Sequence, residues 1–99
     1  MIIDVEATRL LTYRACELID NRVRCDLEQN MAKAFAAEAA VRVTDKAIQV
    51  HGALGLTTDE GFSLERYYRD ARLGGIGEGT TQIVKLVMGR RAIGIPAYV

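Results

Sequence analysis

Gly74-Gly75-Ile76-Gly77-Glu78-Gly79-Thr80-Thr81-Gln82-Ile83 is the stretch on which the reading of this chain turns. A glycine-rich turn running into a threonine-headed apolar segment exposes backbone N–H groups that suit a phosphate, so a nucleotide-binding β-α turn is the first reading to test. The spacing Gly75-x-Gly77-x-Gly79 leaves one residue where the dinucleotide fingerprint has two before its third glycine, and no strand pattern precedes it. The Rossmann reading fails on that context. The glycines then join two helices, and the flanks bear this out.

Downstream, Thr80 or Thr81 can cap a last helix in which Ile83, Leu86, Val87 and Arg90 share a face, with Gly94 and Pro96 closing it. Upstream, Ser63 to Arg72 reads as a short, charged, aromatic-bearing third helix that closes at Gly74-Gly75. Before it, Gly52-Ala53-Leu54-Gly55 ends a long second helix running from about Leu27 to Val50, and a loop of small and polar residues follows to about Phe62. In the second helix Met31, Phe35, Ala39, Val43 and Ala47 recur every four residues, and six alanines fall between residues 32 and 40. Such alanine density permits close helix approach at high helix propensity. Asp26 is placed to cap this helix. A first amphipathic helix spans about Ile3 to Asn21, with Ala7, Leu10, Leu11, Ala15, Leu18 and Ile19 on one face. No segment alternates with period two, and no internal repeat is present, so the expected fold is all-α, an up-down bundle of three or four helices.

The chain has 99 residues, 49% hydrophobic and 26% charged, which is room for one domain. A chain this short buries roughly 60–65% of its unfolded surface, which makes association with a partner an expectation. Thirteen basic and thirteen acidic residues cancel, removing the positive field that nucleic-acid binding needs. No window approaches the roughly 18 apolar residues of a membrane span, and the first residues lack a signal-peptide pattern, so a cytoplasmic location is expected. Cys16 and Cys25 are too few for a disulfide framework and lack partners at zinc-site spacing, so both are read as reduced and no metal site is expected.

Glu78 is an isolated carboxylate among glycines at a helix mouth, which on its own suits a solvated loop residue favoured by the helix dipole. Its setting gains meaning from the order of the surrounding motifs: Glu6 to Ala15, Met31-Ala32-Lys33, Ala47 to Gly55, Glu65 to Arg72, and Ile76 to Ile83. In that order and at those separations the sequence resembles the C-terminal helical domain of flavin-dependent acyl-CoA dehydrogenases, over nearly its whole length. The resemblance implies residues 1–99 as that domain, with its first helix and the upstream domains absent. It implies FAD as cofactor, an acyl-CoA thioester as substrate, and α,β-desaturation, in which a carboxylate takes the α-proton while the β-hydrogen leaves as hydride to the flavin.

On this resemblance Glu78 falls on the base position, and its backbone N–H is placed to hydrogen-bond the thioester carbonyl. Gln49, Gly52 and Gly55 fall on positions that reach the FAD across a subunit interface. Thr80 and Gln82 fall on positions that hydrogen-bond the FAD, although Thr80 also serves as a helix cap. The sequence departs from the family pattern at Ala53, where a glycine is usual, and in the loop from Leu56 to Leu64, which is about two residues longer and lacks a proline. Arg66, Arg69, Asp70 and Arg72 read as an ion-pair network orienting the third helix, His51 as a helix-end capping or packing residue, and Tyr67 and Tyr68 as core or interface aromatics. The isolated chain is expected to be inactive and to need a homo-oligomeric or missing-domain partner. The alternative, from a different functional class, is a non-catalytic helical oligomerisation or docking module that keeps the family's packing.

Overall fold

The computed structural model describes residues 1–58, 61 and 63–95. Within them the chain forms four α-helices, α1 (Ile2–Asp20), α2 (Asp26–His51), α3 (Leu64–Ala71) and α4 (Thr81–Ala92), with 3-10 turns over Gly52–Leu56 and Arg72–Gly75. No strand occurs among the described residues, as the absence of period-two patterning requires. The second helix is the spine: α1, α3 and α4 all pack on it, giving an elongated body of 49 × 28 × 19 Å.

Its alanines explain that role. Ala32, Ala34, Ala37 and Ala39 are buried, and the remaining buried residues among those described are Ala15 of α1, Cys25 before α2, Gly55 of the first 3-10 turn and Val84 of α4. The Gly74 backbone comes so near that a Cβ there would lie 3.6 Å from Ala37. Small side chains on the spine thus trade core volume for close backbone approach. The cost is a thin core, with no large side chain fully buried among the described residues.

Four local expectations change. In α1 the inward stripe is Ala7, Leu11, Ala15 and Leu18, while Leu10 (67% exposed) and Ile19 face outward. In α4 the inward residue is Val84, 5% exposed, flanked by half-buried Val87 and Met88, whereas Ile83 and Leu86 are about half exposed. Both helices carry apolar residues on more than one side, so periodicity alone does not choose which side meets α2. In α2 Met31 is exposed, and the contact face is carried by Ala32, Ala34, Ala37 and Ala39 instead of the four-residue stripe. Asp26 is the first helical residue, not the cap; the cap position is Cys25, which makes no side-chain cap bond. The Asp26 carboxylate accepts instead from Arg24 at 2.7 Å, and its carbonyl accepts from Asn30 Nδ2. It still lies in the first turn, where the helix dipole favours an anion.

Thr80 does cap α4, its hydroxyl accepting from the Ile83 N–H at 3.4 Å. Gly94, at φ +76°, follows that helix in the left-handed conformation used at helix ends, while Pro96 lies outside the described residues. In α3 the pairs Arg69–Glu65 (2.8 Å) and Arg66–Asp70 (3.5 Å) run at i,i+4 along the exposed face. Between α1 and α2, Arg42 donates to Asp4 at 2.9 Å and sits over the Phe35 ring at 5.4 Å. Cys16 is exposed, Cys25 is buried, and neither is in a disulfide.

Candidate functional site

The glycine turn after α3 is held from three directions. Leu73 O accepts from both Ile76 N–H (3.0 Å) and Gly77 N–H (2.7 Å), which curls the chain back on itself. Thr81 Oγ1 reaches Gly75 O at 3.4 Å. From α2, the half-buried Lys33 ammonium donates to Gly74 O at 2.8 Å and Gly77 O at 3.0 Å. These bonds consume the carbonyls that a tight turn leaves unpaired.

Glu78 emerges from this turn at φ +52°, a left-handed conformation that costs a residue with a Cβ on the order of 1–2 kcal/mol. Gly79 follows at φ +99°, and Thr80 returns to extended backbone before α4 begins. The Glu78 side chain is exposed. A carboxylate held at the head of a helix by a strained backbone, and not packed into the body, is available to a molecule arriving from outside.

Beside it lies a polar hollow of about 380 Å³ whose walls include Glu38, Arg72, Ile76, Thr80, Gln82 and Lys85. Lys85 bridges to Glu38 at 2.5 Å, leaving Arg72 as the wall cation not engaged with that carboxylate. Arg72 thus belongs to this hollow and not to the α3 ion pairs. Thr80 spends its oxygen on the Ile83 N–H as acceptor, so its hydroxyl proton can still be donated. Gln82 is exposed in the first turn of α4.

Gln49, Gly52 and Gly55 form a second cluster at the other end of the spine. Gln49 is exposed on the last turn of α2. Gly52 takes φ +59° and ψ −141°, which glycine alone adopts readily, and a Cβ there would meet nothing within 4 Å. Gly55 is buried, and a Cβ there would lie 3.0 Å from both the Cα and the carbonyl of Ile48. Packing inside the chain therefore accounts for Gly55. His51 caps locally, Nδ1 lying 2.8 Å from Ala47 O, and Ala53 is exposed in the 3-10 turn. Gln49 lies eleven residues beyond Glu38 on α2, about 17 Å along the axis. The chain thus presents Glu78, Thr80 and Gln82 as one cluster and Gln49 and Gly52 as another.

Lys33 is the residue whose part in the site went unread from the sequence. The available signal is a single lysine flanked by two buried alanines, where a charge has to find a partner. Among the described residues no group of three or more His, Cys, Asp or Glu could hold a metal, and no helix is long and apolar enough to cross a membrane.

The family described as "Acyl-CoA dehydrogenase, C-terminal domain" matches residues 1–93. The short-chain specific acyl-CoA dehydrogenase, mitochondrial, of Rattus norvegicus is 46% identical over 88 residues, covering 89% of this chain and 21% of the relative. The 3-(aryl)acrylate reductase of Clostridium sporogenes is 39% identical, covering 85% of this chain and 22% of its own length. The acyl-CoA dehydrogenase of Bacillus subtilis is 38% identical, covering 90% and 23%. A solved structure described as "Electron transferring flavoprotein of Acidaminococcus fermentans: Towards a mechanism of flavin-based electron bifurcation" superposes with a TM-score of 0.89 at 36% identity, over 94% of this chain and 24% of that one. The chain spans about a fifth to a quarter of the length of these relatives.

Proposed function

Because this chain belongs to the acyl-CoA dehydrogenase family, matching its C-terminal helical domain, we propose that residues 1–99 are the C-terminal part of an FAD-dependent enzyme that desaturates acyl-CoA thioesters. In this reading Glu78 is the α-proton base. The observation that carries it is the Glu78 conformation: a strained, exposed carboxylate on a turn clamped by Lys33 and Thr81 is maintained at a cost to stability.

The residues present fit an anionic, extended cofactor. Gly52 offers open backbone approach, Thr80 keeps a hydroxyl proton to donate, and Gln82 and Arg72 add donors beside the α4 N-terminus. When bound, FAD supplies the acceptor for the β-hydride. The chain itself holds the carboxylate that takes the α-proton and, at Glu78 N–H, a donor for the thioester carbonyl as enolate charge develops. The separation of the Gln49–Gly52 cluster from Thr80 and Gln82 supports contacts to two different cofactors, the α2 end reaching that of a second subunit.

Assembly follows from the surface. Ile2 and Ile3 are more than 80% exposed, and Leu10, Tyr13, Ile83 and Leu86 lie outward as well. Covering them calls for a second copy or the remaining domains of the enzyme. The same faces would serve a non-catalytic assembly module, and Glu78→Gln separates the two: it lowers turnover steeply in the assembled enzyme and leaves assembly unchanged, whereas a module keeps every measurable property. A monomer by light scattering at micromolar concentration overturns the module reading and leaves the remaining domains as the cover for these faces. The cytoplasmic location read from the sequence is part of this proposal and is checked by cell fractionation.

A further inference from the structure

We propose that Lys33 is a positioning residue that aims the Glu78 N–H through the Gly77–Glu78 peptide plane; this rests on the reading of Glu78 given above. A trans peptide sets its carbonyl and its N–H on opposite sides, and no cis bond occurs among the described residues. Lys33 Nζ holds the Gly77 carbonyl at 3.0 Å, so the Glu78 N–H of the same peptide is turned away from α2. No backbone carbonyl among the described residues accepts that N–H. The same ammonium holds Gly74 O at 2.8 Å, so one charge pins both ends of the turn.

The charge matters as well as the position. A cation on the carbonyl draws electron density through the amide and makes its N–H a stronger donor, as in other charge-assisted chains of hydrogen bonds. The donor is thereby fixed before substrate arrives, which is where an oxyanion-binding group gains most of its effect. Glycine at 74, 75 and 77 makes the turn tight but leaves it free to rearrange; Lys33 removes that freedom from a distance of 41 and 44 residues in sequence.

The test compares Lys33→Met, which keeps the apolar stem, with Lys33→Arg, which keeps the charge. In the 99-residue chain, NMR relaxation should show order parameters at Gly77, Glu78 and Gly79 falling from about 0.85 to below about 0.6 in K33M, with α1 and α2 unaffected and K33R near the parent. Independently of activity, the Gly74 and Gly77 carbonyl carbon shifts should both move in K33M and return toward the parent values in K33R. In the FAD-loaded, assembled enzyme, K33M should lower kcat about 100-fold at unchanged KM, with most of it restored in K33R. An ordered turn in K33M, Gly74 and Gly77 carbonyl shifts that stay at the parent values in K33M, or unchanged kcat beside a loosened turn each overturn the positioning role. Full activity of Glu78→Gln overturns instead the reading of Glu78, and the NMR result on Lys33 stands apart from it.

Discussion

The two glycine turns that follow α2 and α3 use the same residue for opposite purposes. At Gly52–Leu56 glycine lets the chain fold back against its own helix: Gly55 is buried on Ile48, and the turn ends α2 with the local Thr57–Leu54 bond. At Gly74–Gly79 the glycines let the chain leave the body, and bonds from Lys33 and Thr81 fix the path so that Glu78 stands exposed at φ +52°. One turn is held by local packing and the other by distant side chains. Strain without packing benefit sets the second turn apart, which is what the role proposed for Glu78 calls for.

The largest effect expected from breaking this contrast is on turnover. In the assembled enzyme Glu78→Gln should lower kcat by about 10²- to 10⁴-fold, the range for loss of a general base, while the melting temperature barely moves. A parent-like rate in steady-state assays would remove Glu78 from the base role.

Much of this contrast is legible in the sequence. Gly52 and Gly74 announce the helix ends, Thr80 announces its cap, and the alanine run announces a spine. What the sequence does not disclose is direction. Ile83 and Leu86 look like core and face outward because Val84 occupies the contact with α2, a choice that periodicity cannot make for a helix apolar on more than one side. Asp26 looks like a cap because aspartate caps well, yet Arg24 two residues earlier competes for its carboxylate. The Lys33 clamp spans more than forty residues, and such a bond leaves no periodicity to read. Gly55 likewise reads as one more turn glycine until its distance to Ile48 is known.

The next effect tests packing against conformation within the first turn. Gly55→Ala should destabilise the chain by about 1–3 kcal/mol, because its Cβ meets backbone that cannot move aside, and larger residues should cost more. For a domain of this size each kcal/mol lowers the melting temperature by roughly 4–8 °C. Gly52→Ala should cost a comparable amount through its φ alone, and Gly52→Met hardly more, since nothing lies within 4 Å. Thermal melts in which size matters equally at both positions would erase the distinction. In the second turn Glu78→Gly should raise stability slightly, by about 0.5 kcal/mol, as relief of the left-handed strain narrowly exceeds the added freedom of the unfolded chain. Loss of stability on that change would mean that the Glu78 backbone is not strained.

The smallest effect concerns a region that neither turn touches, the α1–α2 seam, and it provides the baseline for both. The hydrogen bond from Arg42 holds the Asp4 carboxyl below its ordinary value, with the Arg42 charge, the chain-terminal ammonium and Lys46 acting in the same sense against partial desolvation. A carboxyl whose affinity for protons is lower in the folded state contributes stability above its unfolded value of about 3.9, and that contribution is lost as pH falls through the depressed folded value. The melting temperature should therefore decline below about pH 4, and Asp4→Asn should flatten that decline while leaving the neutral-pH melt only modestly lowered, because the Arg42 partner is partly exposed and stays solvated. The same substitution should leave the Gly77–Gly79 order parameters untouched. Arg42 and Lys33 lie nine residues apart on one helix, so a response of the glycine turn to Asp4→Asn would show that α2 moves as a whole, and the clamp on Glu78 would then depend on the seam as well as on Lys33.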